Sequence, residues 1–144
     1  EKNTIKVENQ AYQPTQFMVE SDWSGASYWF SLLACSDSGQ LFLKGLKENS
    51  LQGDSKVVEI MSKLGVKSSF QKDGVLLEKI PVEGLEEFDF TDCPDLAQTV
   101  AVTCAIIGQN AKFTGLESLR IKETDRIYAS ICDYATRGKN SHLR

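Results

Sequence analysis

Apolar and polar positions divide this chain into short periodic blocks separated by glycines and charges. Gln16-Phe17-Met18-Val19-Glu20 reads as a short strand. From Ser24 to Cys35 the apolar residues Tyr28, Trp29, Phe30, Leu32 and Leu33 lie almost all the way round a helix, which predicts burial on more than one face, and Gly39 ends it. Gln40 to Leu46 alternates as a strand does, with Leu41 and Leu43 on one face and Phe42 on the other. After the loop Lys47 to Gly53, Asp54-Ser55-Lys56 opens a second helix. Its Val57, Val58, Ile60, Met61 and Leu64 make a one-sided stripe that stops at Gly65. Lys67 to Phe70 and Val75 to Ile80 flank Lys72-Asp73-Gly74 and predict a hairpin, the Asp-Gly pair supplying the positive-φ residues of a tight turn. The order is βαβα followed by two strands.

That order then recurs. Asp22 and Asp92 lie 70 residues apart, as do Gly45-Leu46 and Gly115-Leu116, and Asp54 and Asp125 are offset by one more. Phe17 to Glu20 corresponds to Glu87 to Phe90, and the helix Ser24 to Cys35 to Asp95 to Ile107. A period this long indicates duplicated supersecondary units that bury their apolar faces against one another. The approximate repeats are 16–81 and 86–136, joined by the acidic connection Glu83-Gly84-Leu85-Glu86-Glu87. The second unit is expected to carry a helix from about Thr124 to Tyr134 and to lack a closing hairpin, because the tail 137–144 is too polar and too short for one.

Composition narrows the classes. A chain of 144 residues that is 41% hydrophobic can bury one ordinary core, so it is one domain or part of one. No apolar run approaches the roughly 20 residues needed to span a bilayer, and the polar start is no secretory signal, so a cytoplasmic location without membrane contact is expected. A net charge of −4, with no Lys/Arg stripe interleaved with aromatics, argues against nucleic acid as a partner. Any attraction for an anion must then be local. Cys35, Cys93, Cys104 and Cys132 show no C-x-x-C spacing and His142 stands alone in the tail, so no metal site is expected. Cys35 and Cys104 fall in apolar helical patterns as small buried hydrophobes, and Trp23 and Trp29 read as core.

The local attraction sits in Leu119-Arg120-Ile121-Lys122-Glu123-Thr124-Asp125-Arg126, three cations and two carboxylates in eight residues. A charge run by itself is usually a solvated helix face. Here, if Thr124 or a neighbour opens a helix, Lys122 and Arg126 converge on backbone N–H groups at its positive end, a site for a phosphate or carboxylate. Glu123, kept ionised by those cations, either braces the cluster or carries a proton. Pro94-Asp95 suits a helix first turn, where the isolated pair would serve as a cap.

This octapeptide resembles, nearly letter for letter, the signature of the 3-phosphoshikimate 1-carboxyvinyltransferase (EPSP synthase) family. Val19 to Tyr28, Asn49-Ser50-Leu51-Gln52-Gly53-Asp54 and Cys93-Pro94-Asp95-Leu96-Ala97 are similar to further family segments, in the family's order. The resemblance implies an α/β (α+β) fold of repeated βαβαββ units, the inside-out α/β barrel of the enolpyruvyl transferases, of which this chain supplies about two of the three units of one domain. It implies transfer of the enolpyruvyl group of phosphoenolpyruvate to the 5-hydroxyl of shikimate 3-phosphate with release of phosphate, no cofactor, and a monomeric parent enzyme.

By the same resemblance Asp95 aligns with the aspartate that contacts that hydroxyl and serves as general base, since the hydroxyl attacks only as its proton leaves. Glu123 matches the glutamate that handles the proton on the phosphoenolpyruvate methylene carbon, Lys122 a lysine that contacts substrate, and Arg126 the arginine that holds phosphoenolpyruvate. Ser118 stands where relatives carry an asparagine that touches the substrate phosphate, and its hydroxyl still donates, with shorter reach. Arg120, Asp125, Asp22 and Asp54 read as caps or braces. The resemblance implies that the family's other substrate contacts lie outside this chain, serine and glutamine contacts in the opposite domain and arginine and lysine contacts near the family's C-terminus, so the isolated chain is expected to be inactive. Two alternatives stand beside this reading: the sister transferase acting on UDP-N-acetylglucosamine, and a non-catalytic structural fragment that binds an anion.

Overall fold

The computed structural model describes residues 3–122 and 124–128. Its first regular element is helix α1, Trp23–Ala34, opened by Asp22, whose carboxylate accepts from the backbone N–H groups of Ser24 and Gly25. Those two terminal donors have no acceptor within the helix, so the cap fixes where the helix begins. Strand β1, Gln40–Lys44, follows, then a 3-10 turn, Gly53–Lys56, that runs directly into α2, Val57–Lys63. The hairpin β2, Val66–Gln71, and β3, Gly74–Lys79, completes an antiparallel sheet in the order β1-β3-β2. The chain continues through β4, Glu87–Asp89, α3, Leu96–Ile107, β5, Lys112–Thr114, and a second 3-10 turn, Glu117–Ile121. Strands β4 and β5 pair in parallel, Phe88 opposite Phe113.

One apolar cluster joins both halves. Trp23 and Phe30 of α1, Ile60 and Met61 of α2, Leu77 of β3 and Leu96 of α3 are all fully buried in it. Phe90 packs edge-on to both Phe88 and Phe113, ring centroids 5.0 Å apart in each pair, and so fastens the parallel strands to this core. The helices α1 and α3 lie side by side and run in the same direction, since Ser27 donates to Thr99 and Ser31 bonds Thr103 at one constant offset of 72 residues.

Several expectations require correction. Residues 16–20 form no strand; Phe17, Met18 and Val19 are about four-fifths exposed, and no described strand pairs with them. Helix α1 is buried on one face only: Tyr28, Trp29 and Leu32 are 68%, 51% and 60% exposed, so Trp29 is not core although Trp23 is. The hairpin turn is Lys72-Asp73, and among the described residues none other than glycine has positive φ, so the turn does not use the mirror-image geometry that Asp-Gly suggested. Gly74 is required for another reason. A Cβ there would strike the Leu43 carbonyl and come within 2.9 Å of the Lys44 Cα, so its absence lets β3 approach β1. In the acidic connection Leu85 is buried, and Glu83 pairs with Lys63 at 2.7 Å. Cys35 is half-buried at the C-terminal cap of α1, whereas Cys93 and Cys104 are buried. The calls on Cys132, His142, the tail 137–144 and the far part of the helix from Thr124 lie outside the described residues.

Candidate functional site

The two parallel helices leave between them an open groove of about 550 Å³. One wall is α1, presenting Ser24, Ser27, Tyr28 and Ser31; the other is α3, presenting Asp95, Gln98, Thr99 and Val102. Both sets follow the i, i+3, i+4, i+7 rhythm of a single helix face. The floor is a polar seam within an apolar core. Thr103, fully buried, donates to the Thr99 carbonyl at 2.8 Å and shares a 2.7 Å bond with Ser31, and Ser27 donates to the Ser24 carbonyl at 2.7 Å. These hydroxyls are satisfied where they lie, as buried polar groups must be.

Charge gathers at one end of the groove. Asp95 precedes α3 in a helical conformation and makes no side-chain bond to that helix, so it does not act as the cap that an isolated Pro-Asp pair predicts. Backbone bonds from Leu96 to Cys93 and from Ala97 to Pro94 satisfy the turn instead. The carboxylate is left to face the cations: Arg126 donates to its Oδ1 at 2.9 Å, and the Lys122 ammonium lies 3.4 Å from the same oxygen. Lys122 reaches the groove because the 3-10 turn before it, anchored by the buried Leu119, ends in extended backbone. Arg126 begins the short helical stretch 126–128, whose first N–H groups, those of Ile127 and Tyr128, are taken by Asp125. The helix therefore opens at Asp125, one residue past Thr124. Asp125 serves as the cap that the sequence suggests, and Arg120 is exposed.

Three of the named site residues, Asp95, Lys122 and Arg126, thus meet at one point. Ser118 sits half-buried in the 3-10 turn and is not among the groove-lining side chains. Glu123 lies outside the described residues. Ser24, Ser27, Tyr28, Ser31 and Gln98 were not anticipated, although the polar stripe Ser24, Ser27, Ser31 in an otherwise apolar helix was a readable signal. Among the described residues, no three His, Cys, Asp or Glu side chains gather where they could hold a metal ion.

A second network fixes the α1 wall. Glu20 accepts from the Trp23 indole N–H at 3.0 Å, the Lys47 backbone N–H at 2.9 Å, the Ser50 hydroxyl at 2.7 Å and the Gln52 amide at 3.3 Å. Gln52 also donates to the Ser21 carbonyl and accepts from the Trp23 backbone N–H. Two residues on, Asp54 accepts from the Ser24 hydroxyl at 2.5 Å. Burial pushes the Glu20 carboxyl up, but the donors from Ser50, Trp23, Lys47 and Gln52 together hold it below its ordinary 4.5. These bonds tie the loop 47–52 to the start of α1.

No helix among the described residues is long and apolar enough to cross a membrane. Comparison with known families gives one match, over residues 1–137, to the family described as EPSP synthase (3-phosphoshikimate 1-carboxyvinyltransferase). Among curated proteins, a 3-phosphoshikimate 1-carboxyvinyltransferase from Bacteroides fragilis is 50% identical over 127 residues, 87% of this chain and 31% of the relative. One of the same name from Methanospirillum hungatei is 36% identical over 82% of this chain and 28% of its own length. Another from Methanococcus maripaludis is 35% identical over 96% and 33%. The chain therefore spans about a third of the length of these relatives.

Proposed function

This chain belongs to the EPSP synthase family, and we propose that it supplies one wall of the site that transfers the enolpyruvyl group of phosphoenolpyruvate to the 5-hydroxyl of shikimate 3-phosphate, releasing phosphate. The observation that carries this reading is the meeting of Asp95, Lys122 and Arg126 at the end of the groove. A carboxylate turned away from its own helix, held at one oxygen by two cations and facing the groove, can accept the proton of a substrate hydroxyl that enters there. Arg126, planar and bidentate, suits the carboxylate of phosphoenolpyruvate, while Lys122 suits a phosphoryl or carboxyl oxygen as a point charge. Glu123, between them in sequence, is assigned the proton exchanged at the methylene carbon. Ser118 is assigned the substrate phosphate on its place in the motif alone. The parent is read as a cytoplasmic monomer.

In the fold we infer about two of the three repeated units of one domain of the inside-out barrel, at 16–81 and 86–136, the first without its leading strand at 16–20. Support comes from positions 70 residues apart: Gly45 and Gly115 have φ of 77° and 71°, and a Cβ on either would meet Ser21 or Thr91 respectively. The UDP-N-acetylglucosamine transferase is disfavoured, since the relatives described above are all named for the shikimate enzyme.

An amide NMR titration of this chain with shikimate 3-phosphate and then phosphoenolpyruvate tests the proposal. Saturable shifts centred on Asp95 and residues 118–126 are expected. A dispersed spectrum indifferent to both ligands would overturn the assignment. The chain by itself should release no measurable phosphate from the two substrates, because positioning needs both walls of the site. Turnover abolished by Asp95→Ala would refute that expectation.

A further inference from the structure

Resting on that reading, we propose that Gln98 determines specificity for the acceptor substrate by hydrogen-bonding a second hydroxyl on its ring, the one adjacent to the hydroxyl that Asp95 deprotonates. The groove's other polar side chains are largely committed. The Ser24 hydroxyl donates to Asp54, that of Ser27 to a backbone carbonyl, and Ser31 is tied to Thr103. Asp95, Lys122 and Arg126 hold one another. Gln98 lines the α3 wall half-buried, and among the described residues nothing bonds its amide. It stands three positions after Asp95, on the same helix face and about 4.5 Å further along the axis. An amide offers donors and an acceptor together, so it can pair with a hydroxyl in either sense; Tyr28, the other groove residue with an uncommitted polar group, is 68% exposed and stands on the opposite wall from Asp95.

The chemistry this selects is a ring with vicinal hydroxyls. A ring that sets one oxygen at Asp95 and turns the hydroxyl of the next carbon along the groove would meet Gln98. A ligand lacking that hydroxyl would leave the amide facing apolar substance with its water displaced, which is how sites built to bond a hydroxyl reject analogues without it.

The test is NMR titration of this chain and its Gln98→Ala and Gln98→Glu variants with shikimate 3-phosphate and with its 4-deoxy analogue; the amide spectrum reports at once whether each variant is folded. The unsubstituted chain should bind the analogue about five- to tenfold more weakly, the worth of one net hydrogen bond. Gln98→Ala should bind shikimate 3-phosphate equally weakly and no longer distinguish the two ligands. A Gln98→Ala variant that binds shikimate 3-phosphate as the parent does, or still discriminates, overturns the role of Gln98 and leaves the function of the site standing. A chain that binds neither ligand overturns both.

Discussion

Arg126 donates a 2.9 Å hydrogen bond to Asp95, an aspartate that makes no side-chain bond to the helix it precedes. The pair links two segments 31 residues apart and sets a carboxylate beside a guanidinium at the end of the groove. Both side chains are partly exposed, 24% and 43%, so their attraction is screened by water. Arg126→Ala should therefore change the free energy of unfolding by less than about 1 kcal/mol. On the function proposed above, the same substitution should weaken phosphoenolpyruvate binding at least about tenfold, because the charge-assisted contact assigned to Arg126 would be lost. Urea melts beside an NMR titration separate the two effects.

Thr103 is fully buried and bonds both Thr99 and Ser31. Thr103→Val keeps the shape and leaves Ser31 short of a partner. The expected cost is about 1–2 kcal/mol, read as a fall in the urea midpoint with an unchanged slope.

Glu20 predicts an acid-side dependence. Its folded pKa is lowered, so the stability it contributes is present above the ordinary 4.5 and is lost as pH falls through the folded value. Glu20→Gln should lower stability by about 1–2 kcal/mol near pH 7, allowing for its partial exposure. The gap between the two proteins should close as pH falls below about 4.5. Thermal melts at a series of pH values would show a constant gap if the four donors did not depend on charge.

Cys93 predicts the opposite limb. Burial pushes its thiol from 9.0 up to about 11. Above pH 9.0 the unfolded chain gives up this proton while the folded chain keeps it, so stability falls as pH rises from 9.0 toward about 11, by on the order of 2 kcal/mol. Native Cys93 should resist alkylation at pH 8 and react once the chain is unfolded in urea, which peptide mass mapping would detect.

The parts of the fold that a reader of the sequence could see are those whose pattern and partner lie close together. The stripe Val57, Ile60, Met61 is buried as its spacing indicates, and β2 and β3 pair across two residues. What misleads is an apolar pattern without a partner among the described residues. Phe17 to Val19 and the Tyr28, Trp29, Leu32 face of α1 carry the marks of burial and are exposed. Periodicity records which face is apolar and cannot say what covers it. At the groove, the meeting of Asp95 with Lys122 and Arg126 was legible through the motif that names them. Gln98 was not, because an isolated glutamine in a helix carries no pattern, and only the packing of α1 on α3 gives it a groove to face.

The constant 72-residue spacing of the α1–α3 seam bears on how the molecule assembles. The β2–β3 hairpin closes a loop of two residues, and α2 lies next to it in the chain. Those local contacts form on the microsecond scale, before the entropy of closing the long loop between the helices is recovered. The seam is therefore a late event in folding, and substitutions along it act mainly by hastening unfolding.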